Sequence, residues 1–369
     1  MYLTGFRAEN YRNIEKEEVK FSPGVNLFIG ENAQGKTNAL EAIYTFARGK
    51  SFRGAHDAEL VKFGKTYYRT DIYYQSEKEN REEHLHLRYE NKEKIRERNG
   101  VRLEKQSEII GKFRAVLFCP DHMNMVKEGP GERRLFLNIA ISQCYPAYLG
   151  LYTEYNKILE QRNALLKFAQ KGLYVDPAEM EVYSIHLARC SAEIYWYRRE
   201  YVKKIAPYAA EIQNELSVGR ERLTCFLECD IGKEEYTREE AEKRYFELFK
   251  NGIEKEIKAG YSLYGIHRDD LALFVNGKSV RDYGSQGQQR TSVLALKMAE
   301  GEVCARVVGE SPVYLFDDVL SELDEGRRKV VIHGNEKRQY LLTACDKNVY
   351  QGECHTIETK DGHYVSSYR

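Results

Sequence analysis

The sequence predicts an α/β fold that is split along the chain, with a helical segment inserted between its halves. Three observations predict it. The runs Val25-Asn-Leu-Phe-Ile29 and Val313-Tyr-Leu-Phe316, near opposite ends, are short and β-rich, as buried strands are. Each is accompanied by a helix-forming stretch, which gives both terminal segments strand and helix alternation. Between them lie two long stretches whose apolar and aromatic residues recur in steps of four and three.

The elements follow in order. Leu40, Ile43, Tyr44 and Ala47 share one face of a helix expected from Thr37 to Ala47. Tyr67–Tyr74 and His84–Tyr89 read as strands of an antiparallel sheet, separated by a charged turn. In the middle, Tyr148, Tyr152, Tyr155, Leu159, Arg162, Leu166 and Ala169 form one seam, broken at Gly172 and Pro177. Met180, Tyr183, Leu187, Cys190, Ile194, Tyr197 and Tyr201 form the next, and a short connection makes the pair an antiparallel hairpin. A charged helix is expected from Thr237 to Lys258, its Glu and Lys or Arg residues interleaved as on a solvated face. Ala272–Val275 leads into Asn276-Gly277, a hairpin turn signal. A helix from Gln288 to Val307, the strand Val313–Phe316 and its neighbour Gln339–Thr343 complete the second half. The expected domains are 1–120, 121–260 and 261–369, the first and last being parts of one body.

The 369 residues suffice for such an arrangement with a sizeable core. With 42% hydrophobic and 31% charged residues, the chain reads as globular rather than disordered. Its formal net charge is +0, so any nucleic acid must be held by a local patch. No apolar run approaches the roughly 20 residues of a bilayer span. Met1-Tyr-Leu-Thr-Gly-Phe-Arg7 lacks the apolar core of a signal peptide. The chain is expected to be cytoplasmic and free of membrane, its 8 cysteines reduced.

Gly30-Glu31-Asn32-Ala33-Gln34-Gly35-Lys36-Thr37 fits the phosphate-binding loop G-x-x-x-x-G-K-[ST], with a strand leading in and a helix leading out. Backbone N–H groups and the helix N-terminus face phosphate in such a loop. Gly30 and Gly35 relieve Cβ clashes. Lys36 can neutralise phosphate charge, and the Thr37 hydroxyl can ligate Mg²⁺. Asp317 and Asp318 emerge at the end of the apolar strand. Asp317 is placed for the magnesium shell, and Asp318 for orienting or activating the attacking water. The implied ligands are ATP and Mg²⁺.

Gly284-Ser285-Gln-Gly287-Gln288-Gln289-Arg290 opens a helix and resembles the LSGGQ-like signature of ABC ATPases. In that superfamily the surface formed by Ser285, Gly287, Gln288 and the helix N-terminus serves the ATP bound by the partner subunit. An ordinary helix capped by Ser285 is the plainer reading of the same residues. Leu320-Ser-Glu-Leu-Asp324 resembles the D-loop that lies across the dimer interface in those proteins.

The ordered set of motifs resembles one family, RecF, bacterial recombination-mediator ATPases related to SMC proteins. The matching segments are Asn10-Tyr-Arg-Asn13, Gly30 to Asn38, Pro120-Asp121 with Val126-Lys127, and Arg133-Arg134 with Phe136-Leu137. His267-Arg-Asp-Asp-Leu271, Ser285 to Arg290 and Asp317 to Asp324 follow. The resemblance implies an ABC/SMC-like P-loop ATPase head assembled from both ends of the chain, with the inserted helices as a short arm. It implies a homodimer with ATP, slow hydrolysis as a switch, and binding of double-stranded and gapped DNA. It also implies action with RecR and RecO in loading recombinase. Two departures stand out. Ile266 occupies a position where the family usually has Pro. No His lies near Thr343, where transporter ATPases place a switch histidine; His333 reads as part of a loop, and Thr343 is a candidate substitute.

Arg48, Lys50 and Arg53 form one basic cluster and Arg133 with Arg134 another; each could contact DNA phosphates or be paired with acids. Most of the 28 tyrosines are expected in the core. A transporter ATPase subunit and a small-molecule kinase are the rival readings. The long helical insertion argues against the first, and the signature with its double aspartate against the second.

Overall fold

The computed structural model describes residues 1–232, 234–333 and 338–368. The chain divides into two compact units, one formed by Met1–Met123, Glu211–Arg220 and Thr291–Arg369, the other by Asn124–Ala210 and Glu221–Arg290.

In chain order, the first unit begins with β1 (Tyr2–Tyr11), β2 (Ile14–Lys20) and β3 (Val25–Ile29), followed by α1 (Lys36–Arg48). It continues with β4 (Tyr67–Ser76), β5 (Arg81–Glu90), β6 (Glu93–Arg98), β7 (Val101–Arg102) and β8 (Ala115–Phe118). The second unit carries α2 (Pro130–Cys144), α3 (Pro146–Gln170), most of α4 (Pro177–Leu216), β9 (Leu223–Glu228) and α5 (Arg238–Ala259). It ends with β10 (Asp270–Val275), β11 (Lys278–Ser279) and the first turn of α6 (Gln286–Val308). The chain returns to the first unit with β12 (Val313–Phe316), α7 (Glu325–His333), β13 (Tyr340–Ala344), β14 (His355–Lys360) and β15 (His363–Tyr368).

The first unit holds two six-stranded sheets. One is ordered β2-β1-β4-β5-β6-β7 and is antiparallel throughout. In β4 the alternate residues Tyr68, Thr70, Ile72 and Tyr74 are buried, and Asp71 between them is buried as well. The other is ordered β15-β14-β3-β13-β12-β8, and its five strands from β14 to β8 run parallel. Parallel strands covered on both faces read as near-continuous apolar runs, and β12 is at most 1% exposed along its length. Helix α6 lies so close to β12 that a Cβ on Gly301 would meet the Tyr314 hydroxyl oxygen at 2.0 Å.

In the second unit, α3 and α4 form the antiparallel hairpin. The rings of Tyr148 and Tyr197 lie 5.6 Å apart near one end, and Arg162 Nε donates to Ser184 Oγ at 3.1 Å toward the other. Tyr148, Tyr155 and Tyr201 are buried in this seam. Helix α5 starts at a capping box, in which Thr237 Oγ accepts from the Glu240 amide and Glu240 accepts from the Thr237 amide. Its buried face carries Ala241, Tyr245 and Phe249, and also Glu256, which pairs with the Arg162 guanidinium at 2.6 Å with neither side chain exposed.

The compact units differ from the boundary expected at 260. Residues 261–290 belong with the helices because β10 pairs antiparallel with β9 over six positions, from Asp270↔Glu228 to Val275↔Leu223. The Asn276-Gly277 turn joins β10 to β11 as its sequence demands, with both residues at positive φ. Ile266 is fully buried, and its carbonyl accepts from Arg198 at 2.6 Å.

Candidate nucleotide-binding site

The carboxyl ends of β3, β12 and β13 point to one cleft of about 1070 Å³ in the first unit. Open parallel sheets bind ligands at this edge, where loops leave the strands. The loop from β3 to α1 forms one wall, with Asn32, Ala33, Gln34, Gly35, Lys36, Thr37 and Asn38 lining it. The two glycines act differently. Gly35 has φ 115°, a conformation that favours glycine, and a Cβ there would strike the Asn13 amide at 2.9 Å. Gly30 is needed for close approach, because a Cβ would lie 2.2 Å from the Thr359 carbonyl oxygen of β14.

The C-terminal hairpin braces this loop. Tyr364 donates its hydroxyl to the Gly35 carbonyl at 2.9 Å, and Gly362 N–H donates to the Gln34 carbonyl at 2.9 Å. Asp361 N–H donates to Gln34 Oε1 at 2.6 Å. From the other side, Asn13 Nδ2 donates to the Gln34 carbonyl, and Asn38 Nδ2 donates to Asn13 Oδ1 at 2.8 Å. Lys36 is buried. Its ammonium donates to the carbonyls of Gly30 and Glu31, the latter at 2.8 Å.

Asp317 and Asp318 follow β12 and line the same cleft. Asp317 Oδ1 accepts from Thr37 Oγ1 at 2.8 Å and from Thr343 Oγ1 at 2.9 Å. Burial raises its pKa, while the two hydroxyls act against that rise. Asp318 is exposed, and its φ is 53°. A hydroxyl and a carboxylate oxygen in contact are the hard donor set that suits magnesium, so Thr37 and Asp317 fit that ion.

Several cleft residues were given no individual role by the sequence, although Arg12 and Asp121 fall within segments that carry the family resemblance. Arg12 lines the cleft and makes a paired contact to Glu41 of α1, at 3.0 and 2.8 Å, with Glu41 fully buried. Phe63 lines it with its side chain fully exposed, and Asp121 lies near the end of β8. Arg53, which the sequence offers for DNA, lines the same cleft and donates to Asn38 Oδ1 at 3.2 Å. Its neighbour Arg48 donates to the Ser51 carbonyl.

Ser285, Gly287 and Gln288 belong to the second unit. Ser285 Oγ accepts from the Gln288 amide at 3.2 Å, and Gln288 Oε1 accepts from the Ser285 amide at 3.0 Å. This is a capping box at the start of α6, so the helix-cap reading of Ser285 holds in the structure. A Cβ on Gly287 would meet nothing closer than Ser285 Oγ at 3.9 Å, which leaves its surface approachable.

Of the two readings open for Arg133, pairing with an acid is the one observed. Arg133 is 4% exposed and grips both carboxylate oxygens of Asp270, at 2.6 and 2.8 Å, while its third nitrogen donates to the Met125 carbonyl. With a further bond to the Glu128 carbonyl at 3.3 Å, four of its five N–H groups are spent inside the protein, so this buried side chain is committed to the interior rather than presented to DNA. Arg134 is half-buried and donates to the Asp269 carbonyl at 2.9 Å. His333, expected in a loop, is instead the last residue of α7, and its side chain lies outside the described residues. No helix among the described residues is long and apolar enough to cross a membrane.

Comparison with known proteins agrees with this geometry. Residues 2–363 match the family model for the RecF/RecN/SMC N-terminal domain. A relative from Alkaliphilus oremlandii (strain OhILAs), named DNA replication and repair protein RecF, is 39% identical over 345 residues, covering 93% of each chain. A solved structure described as the recombination mediator protein RecF with ATP in the RecFOR pathway superposes with TM-score 0.92 and 33% identity, covering 100% of this chain and 97% of that one. An SMC head bound to the C-terminal winged-helix domain of ScpA shares the fold, with TM-score 0.59 at 16% identity, covering 100% of this chain and 98% of that one. The mixed α/β architecture is thus that of the ABC/SMC-like ATPases, and the chain belongs to the RecF family.

Proposed function

We propose that this protein is an ATP-dependent DNA-binding protein of recombinational repair and replication. ATP closes it as a homodimer on double-stranded or gapped DNA, hydrolysis is slow and reopens it, and it helps to load recombinase together with RecR and RecO. The observation that carries this reading is the convergence of Lys36, Thr37, Asp317 and Asp318 on one cleft in a chain of the RecF family.

Each residue has a role in that reading. Residues 30–38 cradle the phosphates with backbone N–H groups, and Lys36 neutralises their charge. Thr37 and Asp317 would hold Mg²⁺, which when bound offsets phosphate charge. Asp318 orients the attacking water or accepts its proton. Ser285, Gly287 and Gln288 meet the ATP held by the second copy, with the Ser285 capping bonds exchanged for bonds to phosphate. The two units serve as head and arm, and the protein acts in the cytoplasm as a weak, DNA-dependent ATPase.

The test is to size the protein with no nucleotide, with ADP and with ATP, each with and without duplex or gapped DNA. A dimer that forms with ATP and not with ADP supports the reading. A monomer under all conditions, or ATP turnover only when a small-molecule acceptor is added, sinks it.

A further inference from the structure

We propose that Thr343 is a positioning residue whose single hydroxyl ties the Asp317 carboxylate to the Asp318 backbone and thereby holds Asp318 over the cleft. The proposal rests on reading the cleft as the ATP site and goes beyond it by assigning how its second acid is placed.

The starting point is strand geometry. Successive residues of a strand point to opposite faces, so continuing β12 in extended form would send Asp317 and Asp318 to opposite sides of the sheet. Both nonetheless line the same cleft. The alternation is broken at Asp318, whose φ of 53° lies in the left-handed region that residues with a Cβ rarely adopt. Such a conformation persists only where its surroundings hold it.

Thr343 supplies the hold. The pairing Phe316↔Leu342 between β12 and β13 places Thr343, one residue on, beside Asp317. Thr343 is 2% exposed, and β13 is paired on its other edge with β3, the strand that leads into the phosphate loop. A threonine hydroxyl has one donor and two acceptor positions. Here the donor is given to Asp317 Oδ1 at 2.9 Å, and the Asp318 N–H is accepted at 2.8 Å. The bond to the amide is made where the backbone turns. The bond to the carboxylate fixes that turn relative to the first acid. Thr37 also donates to Asp317 Oδ1, but it is the hydroxyl the reading assigns to the metal, so Thr343 is the restraint that remains. On the far side of Asp318, the Ser321 hydroxyl donates to its carbonyl at 3.0 Å from an exposed position. The firm, buried anchor is therefore on β13.

The test compares Thr343→Val, which keeps shape and β-branching but deletes both bonds, with Thr343→Ser, which keeps both. Turnover number, ATP affinity by direct titration and thermal midpoint are measured on the full chain, with Lys36→Ala as control. Misplacing an acid by a fraction of an ångström to an ångström should lower kcat of Thr343→Val roughly 10- to 100-fold. ATP affinity should stay within about threefold, the pattern of a loss confined to the transition state, and Thr343→Ser should recover most of the rate. Unchanged kcat in Thr343→Val, affinity falling in step with kcat, or no recovery in Thr343→Ser overturns the proposal. If Thr343→Val does not fold, Thr343→Ala takes its place with the same readouts. Turnover that needs Lys36 but not Thr343 defeats this inference alone, whereas binding and turnover that survive Lys36→Ala defeat the site reading beneath it.

Discussion

The Lys36 ammonium donates to the Glu31 carbonyl of its own loop at 2.8 Å, so the cation is held inside the cradle that it is expected to serve. Binding a phosphate there exchanges backbone carbonyls for phosphate oxygens at a charge already buried and oriented. We expect Lys36→Ala to abolish ATP binding or weaken it severely, because no other lysine or arginine belongs to the loop itself. The measurement is an ATP titration, and affinity equal to that of the unaltered protein refutes the assignment.

Asp318 differs from Asp317 in exposure and in partners, and that difference separates their expected roles. Asp317 is buried and tied to two hydroxyls, whereas Asp318 lines the cleft with its carboxylate accepting from exposed Ser321 at 3.3 Å. Asp318→Asn should bind ATP and hydrolyse it about 10²–10⁴-fold more slowly, the usual loss on removing a general base. The ATP-bound dimer should then accumulate in a sizing experiment. Ordinary turnover in this variant moves the catalytic role to another cleft residue.

These roles rest on motifs that were legible because each is local. The runs Val25–Ile29 and Val313–Phe316 are strands with the bounds their apolar composition indicates, and the helix expected from Thr237 to Lys258 runs Arg238–Ala259 with Thr237 as its cap. The C-terminal hairpin that braces the loop was missed by the sequence reading: Asp361-Gly362 is a local turn signal, but nothing local says which loop such a hairpin will support. The partner of Arg133 was not legible at all. Asp270 lies 137 positions away, and an arginine that grips it has the same sequence neighbourhood as one awaiting DNA. For the same reason the grouping of 261–290 with the helices was not legible, since the pairing of β9 with β10 that joins them links distant segments.

Arg162 and Glu256 show how the second unit depends on such a distant pair. Both are fully buried, and the guanidinium also donates to Ser262 Oγ at 2.8 Å and to Ser184 Oγ. Arg162→Ala leaves a carboxylate in the interior without its counter-ion and should cost about 3–5 kcal/mol of stability. Replacing Glu256 as well, as Arg162→Met with Glu256→Leu, should recover part of that loss. Urea unfolding midpoints check both statements, and a single variant that unfolds with the unaltered protein contradicts them.

Asp71 of β4 makes stability sensitive to acid. It is 1% exposed and touches His86 Nδ1 at 2.9 Å, Arg69 Nε at 3.0 Å and His84 Nε2 at 2.8 Å. Burial alone pushes its pKa up, but these donors outweigh burial and hold it well below the usual carboxylate value. A native pKa below the unfolded one means that stability is fully present above the unfolded value, near 4, and is lost as pH falls toward the native value. Asp71→Asn should therefore destabilise the protein at pH 7, with a gap to the unaltered protein that narrows below about pH 4. Urea midpoints across that range check it, and a gap that stays constant shows that the charge of Asp71 is not its source.

The capping box at Ser285 sharpens the test of a pocket shared between two copies. Ser285→Ala loses only a cap and should cost roughly 0.5–2 kcal/mol. Ser285→Arg does more, because a bulky cation would fill the surface meant for the second copy's phosphate. It should bind ATP nearly normally and yet fail to dimerise with it. If Ser285→Arg still forms the ATP-dependent dimer, Ser285 is a helix cap and nothing else. Mixing variants then asks which copy each residue serves. In a dimer of one Lys36→Ala chain and one Ser285→Arg chain, both defects fall on the same composite site, since Lys36 of one chain faces Ser285 of the other. The remaining site has an intact phosphate loop and an intact signature. Where one occupied site suffices for closure, the mixture regains turnover that neither parent has. Pockets built within a single chain predict the opposite, because each chain then carries its own defect and no mixture can restore a site. Recovery on mixing therefore places Ser285 and Lys36 on the same nucleotide from opposite copies.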